Sequence, residues 1–89
     1  MEENWNSRTE LLIGKQGIKK LENSTIIIYG IGGVGSYVAE ALARVGVGKL
    51  ILVDNDKISL SNINRQIHAT TKTVGQNKVE VMKKRILEI

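Results

Sequence analysis

Gly30-Ile31-Gly32-Gly33-Val34-Gly35 has the G-x-G-x-x-G spacing that grips phosphate with main-chain N–H groups. Gly30 is suited to the tight turn, Gly32 to close approach of backbone to the anion, and Gly35 to close packing of a helix on a strand. The positive end of the following helix adds attraction for negative charge. Asp54 stands about 20 residues further on, where a carboxylate accepts hydrogen bonds from ribose hydroxyls. Its plainer reading is a turn aspartate that ends a strand. Glycines and aspartate together serve a dinucleotide or ATP equally well.

The residues after Asp54 separate the two. An NAD-binding oxidoreductase domain normally runs straight into its next helix, and it stands as the alternative of another class. This chain instead presents Asp56, then Ser61-Asn62-Ile63-Asn64-Arg65-Gln66-Ile67-His68, then Lys78. A guanidinium and an ammonium suit a triphosphate, and they stabilise negative charge as pyrophosphate leaves. On composition alone, Arg65 and Lys78 read as solvated surface charges.

Positioning these groups takes a strand, a helix and a second strand. Residues 25–29 hold three consecutive isoleucines and a tyrosine, an unbroken apolar run that predicts a strand buried on both faces. From Val34 the period becomes helical: Val34, Val38, Ala41, Leu42 and Val45 form the expected core stripe, with Glu40 and Arg44 paired on another face. Gly46 and Gly48 are expected to stop that helix through a left-handed turn. Residues 50–53 predict a second buried strand, which makes a right-handed βαβ unit with parallel strands.

Residues 55–75 are polar and irregular, with one short helical turn expected near Asn62. Loops of about 20 residues in small domains are usually functional. Val79, Met82, Ile86 and Ile89 mark a final amphipathic helix. At the other end, Ser7-Arg8-Thr9-Glu10 fits a capping box. Leu11, Leu12, Ile18 and Leu21 follow at loosely helical spacing, interrupted by Gly14 and Gly17. Two short helices ending at Asn23-Ser24 are expected there. Trp5, ahead of the cap, reads as a packing anchor or part of a tail.

The chain has 89 residues, against about 150 for a typical domain. It is 42% hydrophobic and 25% charged, a balance of folded rather than disordered chains. No apolar run approaches the length of a membrane span, and the acidic start, Met1 to Asn6, is unlike a signal peptide. Absence of cysteine excludes disulfides, cysteine zinc sites and thiol catalysis within these residues. A cytoplasmic protein is the expectation. The net charge of +4 is compatible with an anionic ligand and too small to argue for one.

Four segments together resemble the HesA/MoeB/ThiF adenylating family, which is related to ubiquitin-activating enzyme. They are the glycine loop with Ser36, Val53-Asp54-Asn55-Asp56, Ser61 to Gln66, and Val74-Gly75-Gln76-Asn77-Lys78-Val79-Glu80. Asn64-Arg65-Gln66-Ile67-His68-Ala69 is most similar to the branch that acts as tRNA threonylcarbamoyladenosine dehydratase. Sulfur-carrier-activating members, whose substrate is a ubiquitin-like protein, tend to differ there. The resemblance implies an α/β, Rossmann-like fold: N-terminal helices in residues 1–24, then a truncated ATP-binding domain in 25–89.

By resemblance, Gly30, Gly32, Gly33 and Gly35 hold the ATP phosphates and Asp54 the ribose. Asp56 lies in the matching nucleotide segment, and Asn62, Arg65 and Lys78 serve the leaving-group side. Arg8 is similar to an arginine that family members supply from the second subunit of a homodimer, joining Arg65 and Lys78 as catalytic groups; its plainer reading is an exposed residue of the first helical turn. The resemblance further implies tRNA as substrate, or sulfur-transfer partner proteins in the competing branch. It implies Mg2+ as well, with no metal ligand in these residues because the family's aspartate lies downstream of Ile89. His68 is expected to be packed or solvent-facing, and Gln66 to support Arg65. Two strands leave a parallel sheet unfinished, so the chain is expected to be the N-terminal piece of a longer enzyme, inactive alone.

Overall fold

β-branched side chains favour extended backbone, and residues 25–28 are the longest unbroken run of them. In the computed structural model they lie in strand β1, Thr25–Tyr29, which pairs in parallel with β2, Lys49–Val53, in register from Thr25 opposite Lys49 to Tyr29 opposite Val53. Helix α2, Gly35–Val45, connects them, and α1, Ser7–Glu22, precedes them. A short 3-10 helix, Leu60–Asn64, and α3, Lys78–Ile86, complete the order. The structure describes residues 3–89; Met1 and Glu2, the start of the acidic terminus, lie outside the described residues. The α/β class, the parallel βαβ unit and the short turn around Asn62 are as expected from the sequence.

Ile28, Ile31, Ala39 and Met82 form the buried cluster, flanked by Ile26, Leu42, Leu50, Leu52, Ile67, Val79 and Ile86. This core fills one face of the sheet. The other face is bare: Tyr29 is 77% exposed, and Ile27, Ile51 and Val53 are exposed beside it. The expectation of strands buried on both faces is therefore corrected. Parallel sheets are normally covered on both sides, and among the described residues only α2 and α3 supply such a cover.

The α2 stripe is also corrected. Val34 is 79% exposed and Val38 and Ala41 are exposed, while Ser36, Ala39 and Glu40 are buried. Gly35 explains the rotation. A Cβ there would collide with the Gly30 carbonyl and touch Ile28, so this edge of the helix is pressed onto β1. Position 39, one turn on, must then face the sheet, and alanine permits that approach. The polar residues carried inward are satisfied. Ser36 Oγ accepts from Ile67 N at 3.3 Å. Glu40 receives Arg85 through two hydrogen bonds, at 2.8 and 3.1 Å, and Arg44 at 3.0 Å.

Smaller departures sit at element ends. α1 breaks at Gly14 (φ 74°, ψ 172°), giving the two expected helical pieces, whereas Gly17 does not interrupt it. The Ser7–Glu10 capping box does not form. Ser7 is already inside the helix, after Asn6, and its hydroxyl accepts from Asn4 N at 2.7 Å. Leu11, Leu12 and Ile13 are exposed. Gly46 ends α2 with φ 99° as expected, but Gly48 is not left-handed; a Cβ there would meet the Glu22 carbonyl. Trp5 is largely exposed, with its indole against Gly46.

Two outcomes are expected for the intact protein. Gly35→Ala destabilises by about 3 kcal/mol or more in denaturant titration, because the clash is with backbone and cannot relax by a rotamer change. The Arg85 hydrogen bonds, with Arg44 beside them, hold the Glu40 carboxyl below its ordinary range against the opposing effect of burial. A lowered folded value contributes stability above the unfolded value and loses it as pH falls through the folded one. Glu40→Gln therefore costs about 1–2 kcal/mol near neutral pH, and the gap to the parent narrows under acid. A gap independent of pH would contradict the ion-pair account.

Candidate functional site

Ile31 lies at the tip of the turn between β1 and α2 and is held at three points. Its side chain is fully buried in the core. Its N–H donates to Asp54 Oδ2 at 2.7 Å, and its carbonyl accepts from His68 Nε2 at 2.7 Å. Gly30 enters the turn with φ 90° and donates from its N–H to the Val53 carbonyl at 2.8 Å, extending the strand pairing by one residue. Ser36 N–H closes the loop onto the Gly32 carbonyl at 3.0 Å. The N–H groups of Gly32 and Gly33 donate to no protein acceptor among the described residues. Two free donors at a helix start are the arrangement that binds an anion.

Asp54 joins the end of β2 to the segment that leads into α3. Its second oxygen, Oδ1, accepts from Asp56 N at 2.8 Å, and the Asp56 carbonyl accepts from Lys78 N at 3.1 Å. Glycine loop, Asp54, Asp56 and the first residue of α3 are thus one hydrogen-bonded chain. Burial pushes the Asp54 carboxyl up, but the N–H groups of Ile31 and Asp56 and the charge of Lys78 outweigh it and hold the group below the ordinary aspartate value. Each oxygen carries one backbone bond and keeps a lone pair that a ribose hydroxyl can use.

Lys78 is buried at the N-terminus of α3 and forms no ion pair among the described residues. Its backbone bond to Asp56 joins it to the segment that Asp54 ties to the loop. Arg65 is exposed, and its Cγ and Cδ lie where a Cβ added at Gly33 would just touch them. Its Nη1 donates to Ser61 O at 3.1 Å and Asn64 Oδ1 at 2.9 Å. Gln66 is buried with its amide nitrogen toward Gly32. The structure therefore brings the glycines, Asp54, Asp56, Arg65 and Lys78 together.

Asn62 and Arg8 are placed differently. Asn62 is buried, and its Oδ1 accepts from Ser59 N at 2.8 Å, completing the capping box of the 3-10 helix. Arg8 is exposed in the first turn of α1 and makes no hydrogen bond or ion pair with the loop. Residues 55–77 are tied into a closed loop by Ile58 N to Gln76 O and Gly75 N to Ile58 O, both 2.8 Å. The expected Glu40–Arg44 pair forms, but sequence reasoning missed Arg85 as the second partner of Glu40 and the parts played by the Ile31 backbone and Ser36, because each of these acts through a partner distant in the chain.

A groove of about 710 Å3 lies along the outer edge of β2, lined by Leu50, Leu52, Val79 and Ile86 among others. Apart from its apolar and strand-edge character it carries none of the anion-binding groups. Among the described residues no set of three or more His, Asp or Glu is grouped to hold a metal ion. No helix among them is long and apolar enough to cross a membrane.

The geometry matches known proteins closely. The sequence model of the ThiF family matches residues 6–89. The tRNA threonylcarbamoyladenosine dehydratase of Bacillus subtilis is 58% identical over 83 residues, 93% of this chain and 33% of that protein. The Escherichia coli protein of the same description is 46% identical over 88 residues, 96% of this chain and 33% of its own length. A crystal structure of the E. coli enzyme, TcdA, in complex with ATP superposes with TM-score 0.90 at 43% identity, covering 98% of this chain and 37% of that one. The chain thus spans about a third of the length of these relatives. With the family model matched over residues 6–89, nearly its whole length, the chain belongs to the ThiF family.

Proposed function

We propose that these residues form the ATP-binding part of an adenylating enzyme that cyclises threonylcarbamoyladenosine in tRNA. The observation that carries the reading is the pair of unpartnered N–H groups at Gly32 and Gly33, with Arg65 over the loop and Lys78 buried beside it. Its support is the likeness to TcdA, including the form in complex with ATP.

The loop N–H groups and the α2 dipole receive the phosphates, and Asp54 accepts the ribose hydroxyls. The substrate carboxylate attacks the α-phosphorus, and pyrophosphate departs with its electron pair. Arg65 and Lys78 stabilise the charge that grows on the departing group, a contribution made mainly in the transition state. The activated acyl group is then attacked from within the same side chain, expelling AMP and closing the ring; tethering supplies the high effective concentration. Asn62 acts by shaping the segment that carries Arg65. ATP enters as its magnesium complex, with protein ligands for the metal drawn from residues outside this chain. Arg8 completes the site from a second copy of the chain, in a cytoplasmic homodimer.

The test is nucleoside analysis of threonylcarbamoyladenosine-bearing tRNA after incubation with the intact protein and Mg-ATP. Cyclised nucleoside is expected. Arg65→Ala and Lys78→Ala should each lower kcat/KM by about 100-fold or more, the scale for removing one group that stabilises developing charge. Carrier-protein-dependent ATP–pyrophosphate exchange, indifferent to tRNA, would instead favour a sulfur-carrier partner. Calorimetry with NAD bound ahead of ATP would sink adenylation altogether. Residues 1–89 alone should give no product, since one sheet face is uncovered; turnover by that segment would contradict this.

A further inference from the structure

We infer that His68 is a positioning residue for the phosphate-binding loop, aiming the Gly32 N–H at the anion. The inference rests on the nucleotide-binding reading above and assigns a role to a side chain which that mechanism does not use.

His68 is 2% exposed, and its Nε2 lies 2.7 Å from the Ile31 carbonyl, 37 residues away in the chain. A carbonyl oxygen only accepts, so Nε2 carries the proton and donates. Nδ1 is buried with no partner among the described residues, so the single Nε2 bond orients the ring. The residue is anchored from behind: Thr73 Oγ1 donates to the His68 carbonyl at 2.7 Å. The ring thus transmits the position of the 55–77 loop to the turn after β1.

Peptide geometry gives that bond its consequence. Among the described residues every peptide bond is trans, and in a planar trans unit the C=O and the next N–H point in opposite directions. The Ile31 carbonyl and the Gly32 N–H belong to one such unit. With the carbonyl drawn toward the buried imidazole, the Gly32 N–H points away from the interior, toward the open side of the loop. Asp54 fixes the preceding unit in the same way through the Ile31 N–H. Without the His68 bond the Ile31–Gly32 unit has one fewer restraint, and the Gly32 donor loses its preset direction. Preorganised donors bind more tightly because less ordering remains to be done on binding.

The test compares His68→Gln and His68→Leu in the intact protein. A glutamine amide nitrogen reaches about where Nε2 stands and donates; leucine fills space and cannot. Calorimetry with Mg-ATP should show binding weakened about tenfold or more by leucine and less than threefold by glutamine. In the ATP-free protein, imidazole 15N shifts should show Nε2 protonated and Nδ1 bare. Amide exchange at Ile31 and Ser36 should quicken in the leucine variant only. Equal losses in both variants, parent-like binding by His68→Leu, or a proton on Nδ1 would each overturn the inference. If His68→Leu does not fold, the tautomer and the glutamine affinity decide. If the parent itself fails to bind ATP, the nucleotide reading fails, while tautomer and exchange still judge the clamp.

Discussion

A turn that presents free N–H groups to an anion must hold its shape without spending those groups on itself. Here the restraint falls almost wholly on Ile31. Its side chain is sunk in the core, its N–H is taken by Asp54 and its carbonyl by His68. The N–H groups of Gly32 and Gly33 are thereby left free of partners among the described residues. Three parts of the chain meet at this residue, which lets one buried isoleucine organise a surface loop.

The second organising contact lies on the far side of α2. Glu40 is carried inward by the rotation that Gly35 imposes, and it meets Arg85 from α3 and Arg44 from its own helix. Breaking a near-buried pair leaves an uncompensated charge, so the arrangement fixes geometry more surely than it adds stability. α3 begins at Lys78, whose backbone is bonded to Asp56. The ammonium beside the loop is consequently held at both ends of its helix: by main chain at the start and by an ion pair near the close.

Much of this was legible in the sequence. Turn chemistry and apolar runs located both strands, the connecting helix and the start of the final helix to within a residue or two, because those signals are local; the final helix stops at Ile86, short of the expected Ile89. The spacing of glycines, Asp54, Arg65 and Lys78 likewise pointed to one site, and the structure gathers them. Faces were less legible. Val34, Val38 and Ala41 form an apolar stripe by period, yet face outward, since a glycine contact and not hydrophobicity sets the helix rotation. The isoleucines of β1 suit burial on both sides, while among the described residues only one side is covered.

By itself, then, the sequence determined the order of elements, the parallel βαβ unit and the set of groups gathered at the glycine loop, because backbone preference and motif spacing are written in neighbouring residues. Tertiary structure alone decided which helix face is buried, how Glu40 is neutralised, and that His68 is spent on the Ile31 carbonyl. Those outcomes depend on atoms brought together across up to 45 residues of chain, and on close approaches of backbone that no periodicity records.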